Sequence, residues 1–441
     1  MSGYKLTYFA IAGLAEPIRY LLSYGGIDFE DNRITQEAWP ALKPQMPLEQ
    51  VPVLEVDGKF LYQSNAIARF LAKKFNLLGS NDLEAFDVDA TLETIGDLRQ
   101  LLAKWYWYSE PAQKAATEAE TKKKAAFYLG KLDAWVKKND GYFVAGKLSA
   151  ADIVFAGFHI IFAFLLGKDY LADYPNLKGV IEKVEALPAI KAYIAKRPVT
   201  EYTTLLYNGD LLKSDRISCE HRARPERLQE SESYHSSKST MSNYKLTYFN
   251  LAGLGEPIRF LLSYGGVKFE DKRITHDIWP QFKSQTPLEQ LPILEVDGKT
   301  LYQSNPIARF LAKKFNLFGS SDFEAFEVDA TLETISDLRQ VLAKYGFADA
   351  AQKSATEAET FQKVAFYLGK FEATVKKNGG YFVGGKLTAA DIVFAGFSNF
   401  LSYLAGKDIL VGYPSLKSLV DKVVSQPGIK AYIAKRPKTD F

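Results

Sequence analysis

Across the opening segment, apolar positions switch repeatedly between the alternation of a strand and the spacing of a helix. Tyr4–Phe9 reads as a strand, Glu16–Tyr24 as a helix beginning near Pro17, and Phe29–Ile34 as a second strand. Trp39–Lys43 makes a short irregular helix. The stretch Val51 to Leu71, VPVLEVDGKFLYQSNAIARFL, then gathers several signals. A proline leads into a short apolar run, Asp57-Gly58 turns the chain sharply, and a second short strand ends at Tyr62. Gln63-Ser64 opens an amphipathic helix whose Ile67, Ala68, Phe70 and Leu71 share a face, with Ser64 a good N-cap. Strand–helix–strand followed by strand–strand–helix describes a small α/β sheet of about 75 residues.

From Asp82 onward the pattern is helical. Phe86, Ala90, Glu93 and Asp97 lie along one long helix, and further helices follow to Arg197. Glu93 and Asp97 share a helix face at i, i+4, a pairing that is usually a solvated edge. The longest apolar run, Ile153 to Gly167, spans about 15 residues, short of the roughly 20 that a bilayer requires, and reads as a buried core helix. Ser149-Ala150-Ala151-Asp152 ahead of it forms a capping box, read as structural.

The whole pattern then repeats. Tyr4–Tyr202 recurs as Tyr244–Phe441, displaced by 240 residues up to Tyr345 and by 239 beyond a one-residue deletion, so that Asp152 corresponds to Asp391. Each unit is too long for a solenoid repeat and suits one or two domains. The expected organisation is a sheet domain over 1–80, a helical domain over 81–203, a linker over 204–240, and the same two domains over 241–320 and 321–441. The linker stretch is rich in Ser, Arg and Glu with little apolar periodicity, and reads as disordered. Its Arg216, Arg222, Arg224 and Arg227 are interspersed with Glu220, Glu226 and Glu230, as in a solvated coil.

Composition narrows the chemistry. A formal net charge of +3 over 441 residues points neither to nucleic acid nor to an acidic partner. The start, MSGYKLTYFA, has no apolar core behind a basic segment and reads as lacking a signal peptide. Cys219 is the single cysteine and lies outside both units, which fits a reducing, cytoplasmic setting. Any thiol chemistry therefore needs a thiol brought by a ligand. The four histidines, His159, His221, His235 and His276, have no histidine partner in the other unit, and no HExxH, CxxC or phosphate-loop pattern occurs. What remains is Tyr8, at the end of the first strand, and its copy Tyr248. Strand ends in α/β sheets face the ligand crevice, and a phenol is a poor base at neutral pH but a good donor to an anion. Spacing alone leaves a core role for Tyr8 open. The helix start at Ser64 is likewise either a carboxylate site or a plain capped helix on a hairpin.

Taken in order, YKLTYF at 4–9, EPIR at 16–19, Trp39-Pro40 with Lys43, VPVLEVDG at 51–58, YQSNAIARFL at 62–71, the capping box and AIKAYIAKRP at 189–198 resemble the cytosolic glutathione transferases, specifically the sigma class. The resemblance covers both units almost end to end and excludes the linker. It implies α/β plus all-α architecture, twice: a thioredoxin-like domain, then a helical domain, with glutathione bound between them. It further implies that Tyr8 donates its O–H to the glutathione sulfur and that Trp39 and Lys43 hold the glycine end. Val51-Pro52 would be a cis peptide whose Val51 backbone pairs with the cysteinyl part, and Gln63 and Ser64 would take the γ-glutamyl carboxylate. Asp97 would reach the γ-glutamyl amine of glutathione bound to the partner unit. The second set is Tyr248, Trp279, Lys283, Leu291, Pro292, Gln303, Ser304 and Asp337.

The activity so implied is conjugation of reduced glutathione to small hydrophobic electrophiles, with no nucleic-acid or membrane partner. The rivals are a crystallin-like ligand-binding protein and a glutathione-dependent prostaglandin isomerase. Some sigma members have arginine where this chain has Leu14 and Leu254, and lysine where it has Gln50 and Gln290. Loss of those cations argues against the isomerase. Prostaglandin relatives also carry extra carboxylates where Glu93 and Gly96 stand, so no metal is expected. Dimerisation in the family implies that the two units pair internally, Asp97 serving Gln303-Ser304 and Asp337 serving Gln63-Ser64. The stretches KWYWYS at 104–109 and KYGFAD at 344–349 differ, so the two units are expected to prefer different electrophiles.

Overall fold

The structure, a computed structural model, describes residues 3–200 and 243–439. The stretch read as a linker lies outside them, and with it Cys219, His221 and His235. In the first unit, β1 (Tyr4–Phe9) runs parallel to β2 (Glu30–Ile34) and antiparallel to β3 (Val53–Val56). β3 turns back into β4 (Lys59–Leu61), giving the order β2-β1-β3-β4. At that turn Asp57 and Gly58 both hold left-handed φ, 50° and 78°, as a two-residue hairpin requires. α1 (Glu16–Tyr24) connects β1 to β2, α2 (Trp39–Leu42) is a single turn, and α3 (Ser64–Lys74) follows β4.

The helical half comprises α4 (Asp82–Trp107), α5 (Pro111–Lys138), α6 (Ala150–Leu166), α7 (Pro175–Glu185) and α8 (Pro188–Lys196). The longest apolar run forms α6, which is buried along most of its length. Its capping box is present: the Asp152 carboxylate accepts from the Ser149 N–H at 2.8 Å, the Ser149 hydroxyl at 2.7 Å and the Phe143 N–H at 2.9 Å. Among the described residues no helix is long and apolar enough to cross a membrane.

The second unit repeats this plan. Its sheet has the order β6-β5-β7-β8, from β5 (Tyr244–Phe249), β6 (Phe269–Ile274), β7 (Ile293–Val296) and β8 (Lys299–Tyr302). Its helices are α9 (Glu256–Tyr264), α10 (Trp279–Phe282), α11 (Ser304–Lys314), α12 (Asp322–Gly346), α13 (Ala350–Lys377), α14 (Ala389–Ala405), α15 (Pro414–Val424) and α16 (Pro427–Lys435).

The units face each other across α4 and α12 and exchange side chains. Phe86 of α4 belongs to the apolar core of the second unit, edge-on to Tyr302 at 5.8 Å and Phe310 at 6.3 Å. Phe326 of α12 enters the core of the first, edge-on to Tyr62 at 5.9 Å and Phe70 at 6.1 Å. Each such burial is worth about 1.5–3 kcal/mol. A charge cluster joins the same helices. Arg69 of α3 pairs with Asp89 (3.0 Å), Glu93 (2.6 Å), Glu333 (2.9 Å) and Asp329 (3.5 Å). Arg309 of α11 pairs with Asp329 (2.6 Å), Glu93 (3.1 Å) and Glu333. Glu93 is therefore no solvated edge; the face it shares with Asp97 is turned to the other unit. Burial and then the charge of Glu93 push Glu333 up, whereas Arg69 and Arg309 hold Glu93 down against burial.

Candidate active site

Tyr8 lies near the end of β1 and is only 7% exposed. Its hydroxyl accepts a hydrogen bond from the Leu14 N–H at 3.1 Å, and that of Tyr248 accepts from Leu254 at 3.0 Å. Gly13 makes this approach possible: its φ is 45°, and a Cβ there would sit 2.6 Å from the Tyr8 oxygen. Burial raises the pKa of both phenols, with the backbone N–H pulling the other way. At neutral pH each hydroxyl thus keeps its proton, and with its oxygen already accepting, that proton is there to give.

The sequence pattern makes Ser64 the cap of α3, but the N-cap position falls on Gln63. Gln63 holds φ 65° and Gln303 φ 66°, a left-handed conformation that a non-glycine residue adopts only under constraint. That turn carries Ser64 into the first helical turn, and neither helix start has a side-chain cap. Gln63 Nε2 instead donates to Asp337 of the other unit at 2.8 Å, and Gln303 Nε2 donates to Asp97 at 2.8 Å. These reciprocal bonds bring Gln63, Ser64, Asp97, Gln303, Ser304 and Asp337 onto one polar cleft of about 150 Å³ astride the two units. Burial pushes Asp97 and Asp337 up to about 6, with the glutamine bonds opposing it. An uncapped helix start favours an anion and the crossing aspartate a cation, so each half of the cleft suits the zwitterionic end of an amino acid.

The remaining predicted residues lie around β1 and β3. Val51-Pro52 and Leu291-Pro292 are both cis. Pro52 precedes Val53, whose register partner is Thr7, which sets the cis bond beside the strand end that carries Tyr8. Trp39 and Lys43 do not line the cleft. Trp39 meets Phe9 edge-on at 5.5 Å, and exposed Lys43 pairs with Glu49 at 4.0 Å. Trp279 and Lys283 repeat this against Phe249 at 5.6 Å and Glu289 at 3.4 Å.

The family model described as the N-terminal domain of glutathione S-transferase matches residues 4–73 and 244–313, and that of the C-terminal domain matches 96–197 and 336–436. The chain belongs to the glutathione S-transferases. Each unit is a thioredoxin-like sheet domain followed by a helical domain, and glutathione is the co-substrate of this family. Glutathione S-transferase S1 of Drosophila melanogaster is 46% identical over 202 residues, covering 45% of this chain and 80% of that protein. A glutathione S-transferase of Anopheles gambiae is 41% identical, over 45% of this chain and 100% of the relative. Hematopoietic prostaglandin D synthase of Rattus norvegicus is 37% identical, over 46% of this chain and 100% of the relative.

Two kinds of residue that meet the predicted site segments escape a reading of the sequence. Arg99 and Arg339 line the cleft beside the crossing aspartates, and the repeated DLRQ at 97–100 and 337–340 is the signal that marks them. Tyr367 accepts from Gln50 at 3.4 Å and Tyr128 from Gln290 at 3.1 Å, both across the units. Nothing local in α5 or α13 marks those tyrosines.

Proposed function

We propose that the chain is a sigma-class, cytoplasmic transferase that adds reduced glutathione to small hydrophobic electrophiles at two sites, one in each tandem unit. Tyr8 and Tyr248 donate their O–H to the glutathione sulfur and favour the thiolate, so that a nucleophile is populated near pH 7. The thiol proton leaves to water, and the sulfur lone pair forms the new carbon–sulfur bond as the electrophile's leaving group departs with its electron pair, or as its π bond opens to an anion that water protonates. Gln63 and Ser64 take the γ-glutamyl carboxylate at the start of α3, and Asp337 takes the amine from across the units. Trp39 and Lys43 hold the glycine end, and the Val51 backbone ahead of Pro52 pairs with the cysteinyl part. Gln303, Ser304, Asp97, Trp279, Lys283, Leu291 and Pro292 do the same in the second unit.

The observation that carries this reading is the reciprocal pair of 2.8 Å bonds, Gln63 to Asp337 and Gln303 to Asp97. It sets a carboxylate of one unit against the uncapped helix start of the other, the charge pattern that an α-amino acid requires. Retention on immobilised glutathione followed by a conjugation assay tests it. Retention without turnover would point to a crystallin-like ligand-binding role, and neither would end the reading. A second reading, glutathione-dependent prostaglandin isomerisation, draws support from the name of the rat relative. The apolar Leu14 and Leu254, whose N–H groups meet the two tyrosines, count against it. Turnover of a prostaglandin endoperoxide at a rate matching conjugation would reverse that preference.

A further inference from the structure

Two guanidiniums in the cleft have no task in the mechanism above. Arg99 of α4 and Arg339 of α12 line it together with Gln63, Ser64, Gln303 and Ser304. Among the described residues neither stands in a salt bridge, whereas Arg69 and Arg309 are each held by several carboxylates. Arg339 Nε is buried with no hydrogen-bond partner. Both units thus keep a half-buried guanidinium outside any salt bridge at the same place, and in Arg339 its buried Nε goes unpaired, which is costly. Burial lowers the pKa of Arg99, and the groups whose charge opposes this are Tyr8, Asp337, Tyr108 and Asp97. For Arg339 the groups are Tyr248, Asp97 and Asp337. Arg19 and Arg259 also reach the two tyrosines, but their charge is cancelled. Arg19 pairs with Glu16 at 3.1 Å and Asp31 at 3.0 Å, and Arg259 with Glu256 at 3.2 Å and Asp271 at 2.9 Å.

We infer that Arg99 and Arg339 supply the positive charge that favours the glutathione thiolate at Tyr8 and Tyr248, each in its own unit. The inference rests on the transferase reading. When the S–H ionises, its proton leaves to water and the charge stays on sulfur beside the phenol. A guanidinium close by lowers the energy of that state by attraction through a low dielectric, without touching the sulfur. Asp97 and Asp337 oppose the two cations, and pairing of each aspartate with a ligand amine removes that opposition. In this way the chain recovers the cationic surroundings that Leu14, Leu254, Gln50 and Gln290 do not provide.

The test uses the full chain with glutathione bound and follows the thiolate by its ultraviolet absorbance across the pH range. The double variant Arg99→Met/Arg339→Met is expected to raise the pH of half-ionisation by about one unit. kcat/KM should fall about tenfold at mildly acidic pH and recover at alkaline pH. Glutathione affinity by calorimetry should change by less than about threefold, and Tm should hold or rise, because a desolvation cost leaves with the charge. Arg99→Lys/Arg339→Lys, which keeps the charge, should titrate close to the parent. An unmoved thiolate titration in the Met variant overturns the inference alone. So does a collapse of Tm or of folding in that variant, which would reveal a structural task. A parent chain that binds no glutathione overturns the transferase reading, and this inference with it.

Discussion

A hydroxyl that accepts from a backbone N–H and still has its own proton to give separates Tyr8 and Tyr248 from other buried tyrosines of the chain. Tyr20 donates to Glu185 at 3.1 Å, and the half-buried Tyr193 to Glu16 at 3.2 Å, so those protons are committed. Tyr8→Phe and Tyr248→Phe are each expected to slow their own site by on the order of 10²–10³ while sparing glutathione affinity, since one oxyanion donor is removed and no contact to the peptide is. Steady-state rates beside calorimetric affinities decide this; full activity in the double variant would refute it. The crossing aspartates give a pH signature. Asp97 and Asp337, pushed up to about 6, must be ionised to take an ammonium, so affinity should be held above that value and lost as pH falls through it. Asp337→Asn should remove that pH dependence from the site at Gln63 and leave the site at Gln303 unchanged. Tyr8 was legible because it ends a strand. Arg99 was not, because the repeated DLRQ singles it out without telling which surface its side of a long helix meets.

At the scale of elements, α6 and α14 owe their starts to the same device. Asp391 accepts from the Thr388 N–H at 2.7 Å, the Thr388 hydroxyl at 2.8 Å and the Phe382 N–H at 2.8 Å, as Asp152 does in the first unit. Asp152→Ala orphans three donors in a buried turn and should cost about 2–4 kcal/mol, read as a lower denaturation midpoint. The ends of α4 and α12 differ more than any other equivalent pair singled out from the sequence. Tyr106 packs edge-on to Phe164 at 5.2 Å, with Lys114 Nζ 3.4 Å from the ring centroid. At the equivalent Gly346 a Cβ would lie 2.9 Å from the Leu404 carbonyl oxygen, so α12 and α14 approach too closely for any larger side chain. The two sites should therefore rank electrophiles differently. Turnover across a substrate panel, with the other site silenced by Tyr8→Phe or Tyr248→Phe, checks this; identical profiles would refute it.

The whole molecule is held together by exchange between its halves, with Phe86 and Phe326 each lodged in the other unit's core. Arg69→Met would leave Glu93, Asp329 and Glu333 sharing the single guanidinium of Arg309, and Asp89 only Lys313 at 3.8 Å, at an expected cost of about 3–5 kcal/mol. Because both units share one chain, pairing within it has an effective concentration on the order of millimolar, above any dilute concentration of separate chains. Light scattering at low micromolar concentration is expected to give a mass near 49.4 kDa. A mass twice that, stable on dilution, would show that the units pair between chains instead.

What the sequence determined by itself was what depends on near neighbours along the chain. Asp57-Gly58 made the hairpin, Ser149 and Asp152 started α6, and the alternation in Tyr4–Phe9 made β1, because turn, cap and period act within a few residues. Tandem copying was visible for the same reason, as one pattern read twice. The tertiary structure decided what one face of a helix meets. It took Glu93 from a solvated edge into an ion cluster, moved the cap of α3 from Ser64 to a left-handed Gln63, and set Arg99 on the cleft between the units. Those outcomes depend on residues of the second unit or of a distant helix. The helical period assigns a side chain to a face, and only packing decides whether that face finds water, a carboxylate or a cleft.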